Sequence, residues 1–131
     1  MRLLLDTHVL LWWLADDRKL SKNARAIIAN PDNDVLVSSA SLWEISIKAA
    51  LRRLEVELDV LDKAIARNGF RALPIGFRHA LTAGRLPLVH RDPFDRMLVA
   101  QASVDELRLV SHDRVFERYG LSAEGLPPII V

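Results

Sequence analysis

Along this chain, short apolar runs bounded by polar or turn residues alternate with stretches whose apolar positions recur at helical spacing. "RLLLD" (2–6), "DVLVSS" (34–39), "FRALPI" (70–75), "LRLVS" (107–111) and "PPIIV" (127–131) are of the first kind. They predict strands buried on both faces, which read as continuous apolar runs rather than as alternation. The second kind predicts helices at about 8–15, 21–29, 41–53, 58–68, 77–83, 94–105 and 114–119. Strand–helix alternation argues for an α/β fold with a parallel sheet sandwiched by helices. Two prolines open the last run, which makes it a marginal or edge strand.

Local punctuation supports these boundaries. Asn30-Pro31-Asp32 ends the second helix, because proline disfavours helical geometry in the residue before it. Gly69 suits the position just past the fourth helix. Asp92 followed by Pro93 is a favoured N-cap with proline at the first helical position.

Composition narrows the class. A length of 131 residues fits one domain, residues 1–131, and 50% hydrophobic residues support a sizeable core and exclude disorder. Lys+Arg is 18 against Asp+Glu 17, so net charge carries no argument for nucleic acid and any basic surface must be local. Without cysteine there are no disulfides or thiolate metal sites, and a reducing compartment fits. The apolar N-terminal stretch is interrupted by Asp6 and His8, and its run Val9–Ala15 is far short of the roughly 18 residues of a membrane span. It also lacks a signal-peptide cleavage pattern. A soluble, cytoplasmic protein with no membrane segment is expected.

The acids change the picture more. Ligands of open α/β sheets bind beyond the carboxyl ends of the strands. Asp6 ends the first strand, Glu44 lies in the first turns of the helix after the second, Asp113 follows the fourth, and Asp95 opens the helix before it. Four carboxylates therefore reach one edge. Each has a structural reading as well. Asp113 suits an N-cap and Asp6 a strand-end turn. Glu44 suits a helix-surface pair with Lys48, and Asp95 an acid favoured by a helix dipole. Asp95, however, lies within about 60° of Leu98, Val99 and Ala102 on a helical wheel, in line with the core face. The N-cap role explains Asp92 by itself.

Clustered carboxylates repel: two unit charges at 4 Å cost roughly 4 kcal/mol at an effective dielectric near 20. A hard divalent cation, Mg2+ or Mn2+, removes that cost and suits phosphodiester hydrolysis.

The stretches "LLLDTHVLLWWL", "SSASLWEISIK", "LPLVHRDPFDRMLVAQA" and "LVSHDRVFERYG" resemble, in order and over nearly the whole chain, the PIN-domain ribonucleases of the VapC toxin type. That resemblance implies a three-layer α/β/α sandwich with a central parallel sheet. It also implies Mg2+- or Mn2+-dependent endonucleolytic cleavage of single-stranded RNA, with Asp6, Glu44, Asp95 and Asp113 as the catalytic and metal-holding acids. Asp95 rather than Asp92 matches the family acid, which stands directly before the "LVAQA" helix. Thr7 and Ser111 match hydrogen-bonding positions beside the site. His8 and His112 are less decisive neighbours. Members of the group are toxins held inactive by a cognate antitoxin protein, and many are homodimers.

An acidic pocket needs cations nearby to hold the phosphates of RNA. Arg85, Arg91, Arg96 and Arg114 are the candidate rim, with Lys48, Arg52 and Arg53 on another helix. Few aromatics sit in those loops, so base stacking looks limited, and Phe94 reads as core. "VLLWWLA" is apolar nearly all round, so one face of that helix, with Trp12 or Trp13, either meets a partner or is buried within the monomer. Two alternatives remain. A receiver-like signalling domain also gathers acids at strand ends, but needs a phosphoacceptor acid after the third strand, where this chain has "LPIG". A catalytically silent RNA- or protein-binding module keeps the fold and drops the chemistry.

Overall fold

The computed structural model describes residues 1–88, 91–119 and 128–131. In chain order it contains β1 (Arg2–Leu5), α1 (Thr7–Leu14), α2 (Lys22–Ala29), β2 (Asp34–Ser38), α3 (Ser39–Ala50) and α4 (Leu58–Arg67). Then follow β3 (Arg71–Leu73), α5 (Phe77–Arg85), α6 (Pro93–Val104), β4 (Arg108–Ser111), a 3-10 turn (Arg114–Arg118) and β5 (Ile129–Ile130). The strands form one parallel sheet of order β3-β2-β1-β4-β5. This differs from the 2-1-3-4-5 order of receiver-type sheets, and β3 runs into Pro74 rather than an acid, so the receiver alternative falls.

Strand residues divide by parity between two cores. Leu3, Leu5, Val35, Val37 and Val110 join Val9, Leu10, Ala24, Ile28, Leu61 and Ile65 from α1, α2 and α4 on one face. Leu4, Leu36, Leu107 and Leu109 join Leu98, Ala102, Phe116 and Tyr119 on the other. Period-2 side chains buried on both faces are why these runs are continuously apolar, and the expected three-layer sandwich results. Helix α3 contributes Ala40 to one core and Ile45 to the other, so it bridges the layers.

Boundaries shift by small amounts with identifiable causes. Helix α3 begins at Ser39, ahead of the expected 41, because the Ser38 hydroxyl accepts the Ala40 N–H at 2.9 Å and caps it. It stops at Ala50 rather than 53 as the chain turns through Arg52 at φ 57°. Gly69 holds φ 75° after α4, the left-handed geometry that glycine adopts at no steric cost. Strand β3 is shorter than 70–75, since Pro74 has no N–H to donate. Of the last expected strand, Pro127 lies outside the described residues. Ile129 and Ile130 pair in parallel with Val110 and Ser111 at the sheet edge.

The chain builds outward from β1 to β3, then returns across the sheet to place β4 on the other side of β1. Between β1 and β4 the strand order reverses. That switch point opens a crevice at the carboxyl ends of both strands. Among the described residues no helix is long and apolar enough to cross a membrane.

Candidate active site at the switch point

Asp6 follows β1 directly into this crevice. Its N–H donates to Val110 O at 3.0 Å, extending the β1–β4 ladder, and its own carbonyl accepts the Leu10 N–H at 3.0 Å, opening α1. The side chain makes no capping bond to α1. Instead its carboxylate, 3% exposed, accepts a hydrogen bond from the Ser111 hydroxyl at 2.7 Å. Ser111 Oγ also accepts the Asp113 N–H at 3.0 Å, so one buried hydroxyl at the end of β4 orients two acids. The strand-end turn reading of Asp6 is therefore insufficient, because its carboxylate serves no turn. Thr7 Oγ1 donates to Ser41 Oγ at 2.9 Å and ties the start of α1 to α3.

Glu44 is also buried, and the expected pair with Lys48 joins this buried acid to a partly exposed lysine. Lys48 Nζ lies 2.9 Å from Glu44 Oε2, with the carboxylate side chain 7% exposed and the lysine 38%. A positive charge already stands on the edge of the acid cluster. Asp113 does cap the 3-10 turn, with Oδ1 accepting the Val115 N–H at 3.0 Å. Asp92 caps α6 through Phe94 N at 2.9 Å and Asp95 N at 3.4 Å. Capping and site membership coexist, because a carboxylate has two oxygens.

The electrostatics show the convergence. Asp95 is half-buried in the first turn of α6. Burial, then repulsion from Asp92, Asp6, Glu44 and Asp113, pushes its carboxyl up to about 8. Burial also raises Asp6 above its ordinary value, against the Ser111 hydrogen bond, His8, the Thr7 backbone and His112, which lower it. Three of the expected acids thus act on the fourth, Asp95, and Asp92, whose capping role left its membership of the site open, repels it more than any of them.

The acids converge without a closed chelate. Among the described residues, no group of three or more His, Cys, Asp or Glu side chains is arranged to hold a metal ion as it stands. The donor set nevertheless fits a hard divalent cation: it is all carboxylate oxygen, and its repulsion is the kind such an ion relieves. Mg2+ keeps several waters and needs few direct protein ligands.

Of the two readings left open for the face with Trp12 and Trp13, packing within the monomer is the one seen. Of the rim candidates, Arg96 is engaged at the end of α5. Its guanidinium donates to Pro87 O at 2.9 Å, Ala83 O at 2.9 Å and Leu86 O at 3.1 Å, fastening the end of α5 to α6. Carbonyls left over at a helix end attract such a fork of donors. Arg85, Arg91 and Arg114 are exposed, with Arg114 beside Glu117 at 3.3 Å. Trp12 and Trp13 are half-buried against the core, Trp13 also donating to Asn68 Oδ1 at 3.0 Å. The exposed tryptophan is Trp43, 61% exposed, packed edge-on to Phe94 at 5.2 Å. Phe94 is therefore half-buried outside both cores. Sequence reasoning also missed the grouping of His8, Trp12 and His112, which lie far apart in the chain and share no periodicity.

Comparison with known proteins agrees with this fold. The PIN domain family matches residues 3–121. Ribonuclease VapC22 of Mycobacterium tuberculosis is 34% identical over 114 residues, covering 85% of this chain and 86% of that protein. Among solved structures, VapBC2 from Rickettsia felis bound to a DNA fragment from its promoter superposes with TM-score 0.68. That match has 14% identity and covers 96% of each chain. VapBC-5, a toxin–antitoxin family member from Mycobacterium tuberculosis, superposes with TM-score 0.62 at 18% identity, covering 99% of this chain and 98% of that one.

Proposed function

The chain belongs to the PIN domain family, in its VapC ribonuclease group, and on that premise we propose that it is an Mg2+- or Mn2+-dependent endoribonuclease. It acts as the toxin of a type II toxin–antitoxin pair. The observation that carries the reading is the convergence of Asp6, Glu44, Asp113 and Asp92 on Asp95 at the switch point, where burial first and their repulsion second push its carboxyl up to about 8. A fold gains nothing from such repulsion, whereas a site that recruits a cation depends on it.

Asp6, Glu44, Asp95 and Asp113 would hold the ion. When bound, Mg2+ or Mn2+ supplies positive charge that eases ionisation of water and offsets charge developing on the phosphate oxygens. The residues themselves do the placing. Ser111 holds the Asp6 carboxylate and the Asp113 backbone in one geometry. Thr7 and Ser41 hold α1 against α3, and so Asp6 near Glu44. Lys48 compensates Glu44 and would share that carboxylate with the ion. Asp95 carries a proton at neutral pH in the absence of metal and releases it when cation replaces proton. Arg85, Arg91 and Arg114 would hold flanking phosphates.

The relatives supply the partner class. Ribonuclease activity is in the name of the 34% identical protein, and the structural neighbours are toxin–antitoxin complexes. A cognate antitoxin follows for this chain as part of the proposal, and a homodimer is added to it on the family resemblance alone.

The test uses purified, partner-free protein with single-stranded RNA in Mg2+, Mn2+ or EDTA, beside Asp95→Asn. Endonucleolytic products with either metal, absent in EDTA and in the variant, support the reading. RNA bound but left intact under all three conditions would convert it to a silent binding module.

A further inference from the structure

Three aromatic rings stand beside Asp6 without contributing a carboxylate to the acid cluster. His8 stands two residues after Asp6, Trp12 one turn further along α1, and His112 between Ser111 and Asp113. Trp12 and His112 have centroids 4.7 Å apart at 57°, His8 and His112 5.5 Å apart at 75°, and His8 and Trp12 6.0 Å apart at 48°. Each ring therefore touches both others. Trp12 is half-buried and anchored on the core, while both imidazoles are exposed. Both act electrostatically on the Asp6 carboxylate, which places the cluster at the mouth of the acid site.

Packing accounts for Trp12 alone. It does not account for two water-exposed rings, from the start of α1 and the loop after β4, gathered on one indole beside the reacting position. Resting on the nuclease reading above, we infer that His8, Trp12 and His112 form a stacking platform for a nucleobase of the single-stranded RNA whose phosphodiester lies at the acids. Aromatic platforms suit single strands because every base presents a π-face, whatever the sequence. The need is clear here. Phosphate is repelled by the acids, and Arg96 is engaged with carbonyls. Stacking adds affinity and fixes register without requiring another cation. It also orients the backbone, since a base held on the rings fixes its ribose and the adjoining phosphate.

The test measures binding of a short single-stranded RNA and of the same RNA with one abasic ribose, scanned along the strand. The protein is full-length Asp95→Asn, so that substrate survives. At one scanned position the base-bearing RNA should bind about tenfold more tightly than the abasic one. Adding His112→Ala, or His8→Ala with His112→Ala, should abolish that preference while thermal stability stays unchanged, because these rings are exposed. His112→Phe should retain the preference and His112→Lys should not, which separates stacking from charge. Equal preference in the parent and the double alanine variant overturns the platform, as does retention by lysine. The nuclease reading fails separately, through absence of RNA cleavage by the wild-type protein with either metal.

Discussion

The two ends of the sheet handle charge in opposite ways. At the amino edge, charged and polar groups are matched. Arg71 meets Asp34 at 2.7 Å, Arg2 donates to Asp105 O at 2.9 Å, His79 meets Asp105 at 2.9 Å, and the N-terminal amine donates to Asn33 at 2.9 Å. At the carboxyl edge, Asp6, Glu44, Asp92 and Asp113 act repulsively on Asp95, while Lys48 pairs with Glu44. Both edges belong to the same parallel strands, so topology does not dictate the difference. Folding alone favours matching, since like charges gathered near a core destabilise it. The amino edge shows what stability asks of these residues, and the carboxyl edge shows an arrangement that stability alone does not ask for.

The largest break in that contrast should come from Asp95→Asn. It should lower cleavage on the order of 100-fold or more, yet leave the metal-free fold about as stable at neutral pH and more stable above about pH 8, where it deletes the repelled charge. A rate within a few fold of wild type in a quantitative cleavage assay would remove Asp95 from the site. Ser111→Ala should come next. Its hydroxyl, fully buried, holds Asp6 Oδ2 and Asp113 N. Its loss should cost about 1–3 kcal/mol in denaturant unfolding and roughly 10–100-fold in activity. Stability lost without any loss of activity would make Ser111 a scaffold residue only.

How much of this was legible in the sequence depended on the range of the signal. Continuous apolar runs located every strand, and helical periodicity located every helix to within a few residues, because burial acts directly on each position. The acids were legible because each follows or precedes a strand that could be read locally. Arg96 was not. A guanidinium beside an acidic motif looks like a phosphate ligand, and only the folded end of α5 reveals the three carbonyls that take it. His8, Trp12 and His112 were missed for a related reason. Their contact joins α1 to the loop after β4 across the switch point, a pairing that no local spacing encodes.

Acidity gives the next test. The Asp95 carboxyl is raised from 3.8 to about 8, so between those values the folded state binds more protons than the unfolded one. Stability from this group is therefore fully present below about pH 4 and is lost as pH rises through about 8. Asp6, also raised, acts with the same sign. In EDTA the melting temperature should fall from pH 6 to 8.5, and Asp95→Asn should flatten that slope. Millimolar Mg2+ or Mn2+ should flatten it as well, with apparent metal affinity rising by up to about tenfold per pH unit below 8 as cation displaces proton. An identical slope in wild type and Asp95→Asn would contradict the assigned repulsion.

The smallest effect belongs to the matched edge, and its sign makes it useful. Arg71 and Asp34 are 63% and 33% exposed in their side chains, so a double-mutant cycle of Arg71→Ala and Asp34→Asn should return a coupling of only about 0.2–1 kcal/mol. Cleavage should be unchanged in either variant. Salt then distinguishes the edges without any further mutation. At 1 M the Debye length shrinks to about 3 Å, which weakens the Arg71–Asp34 attraction and relieves the repulsion on Asp95. Added NaCl should therefore shrink the coupling at the amino edge. In EDTA above about pH 8 it should also narrow the stability gap between wild type and Asp95→Asn. If both edges responded to salt in the same direction, the acids at the switch point would be matched like those at the other end, and the physical case for a cation there would be lost.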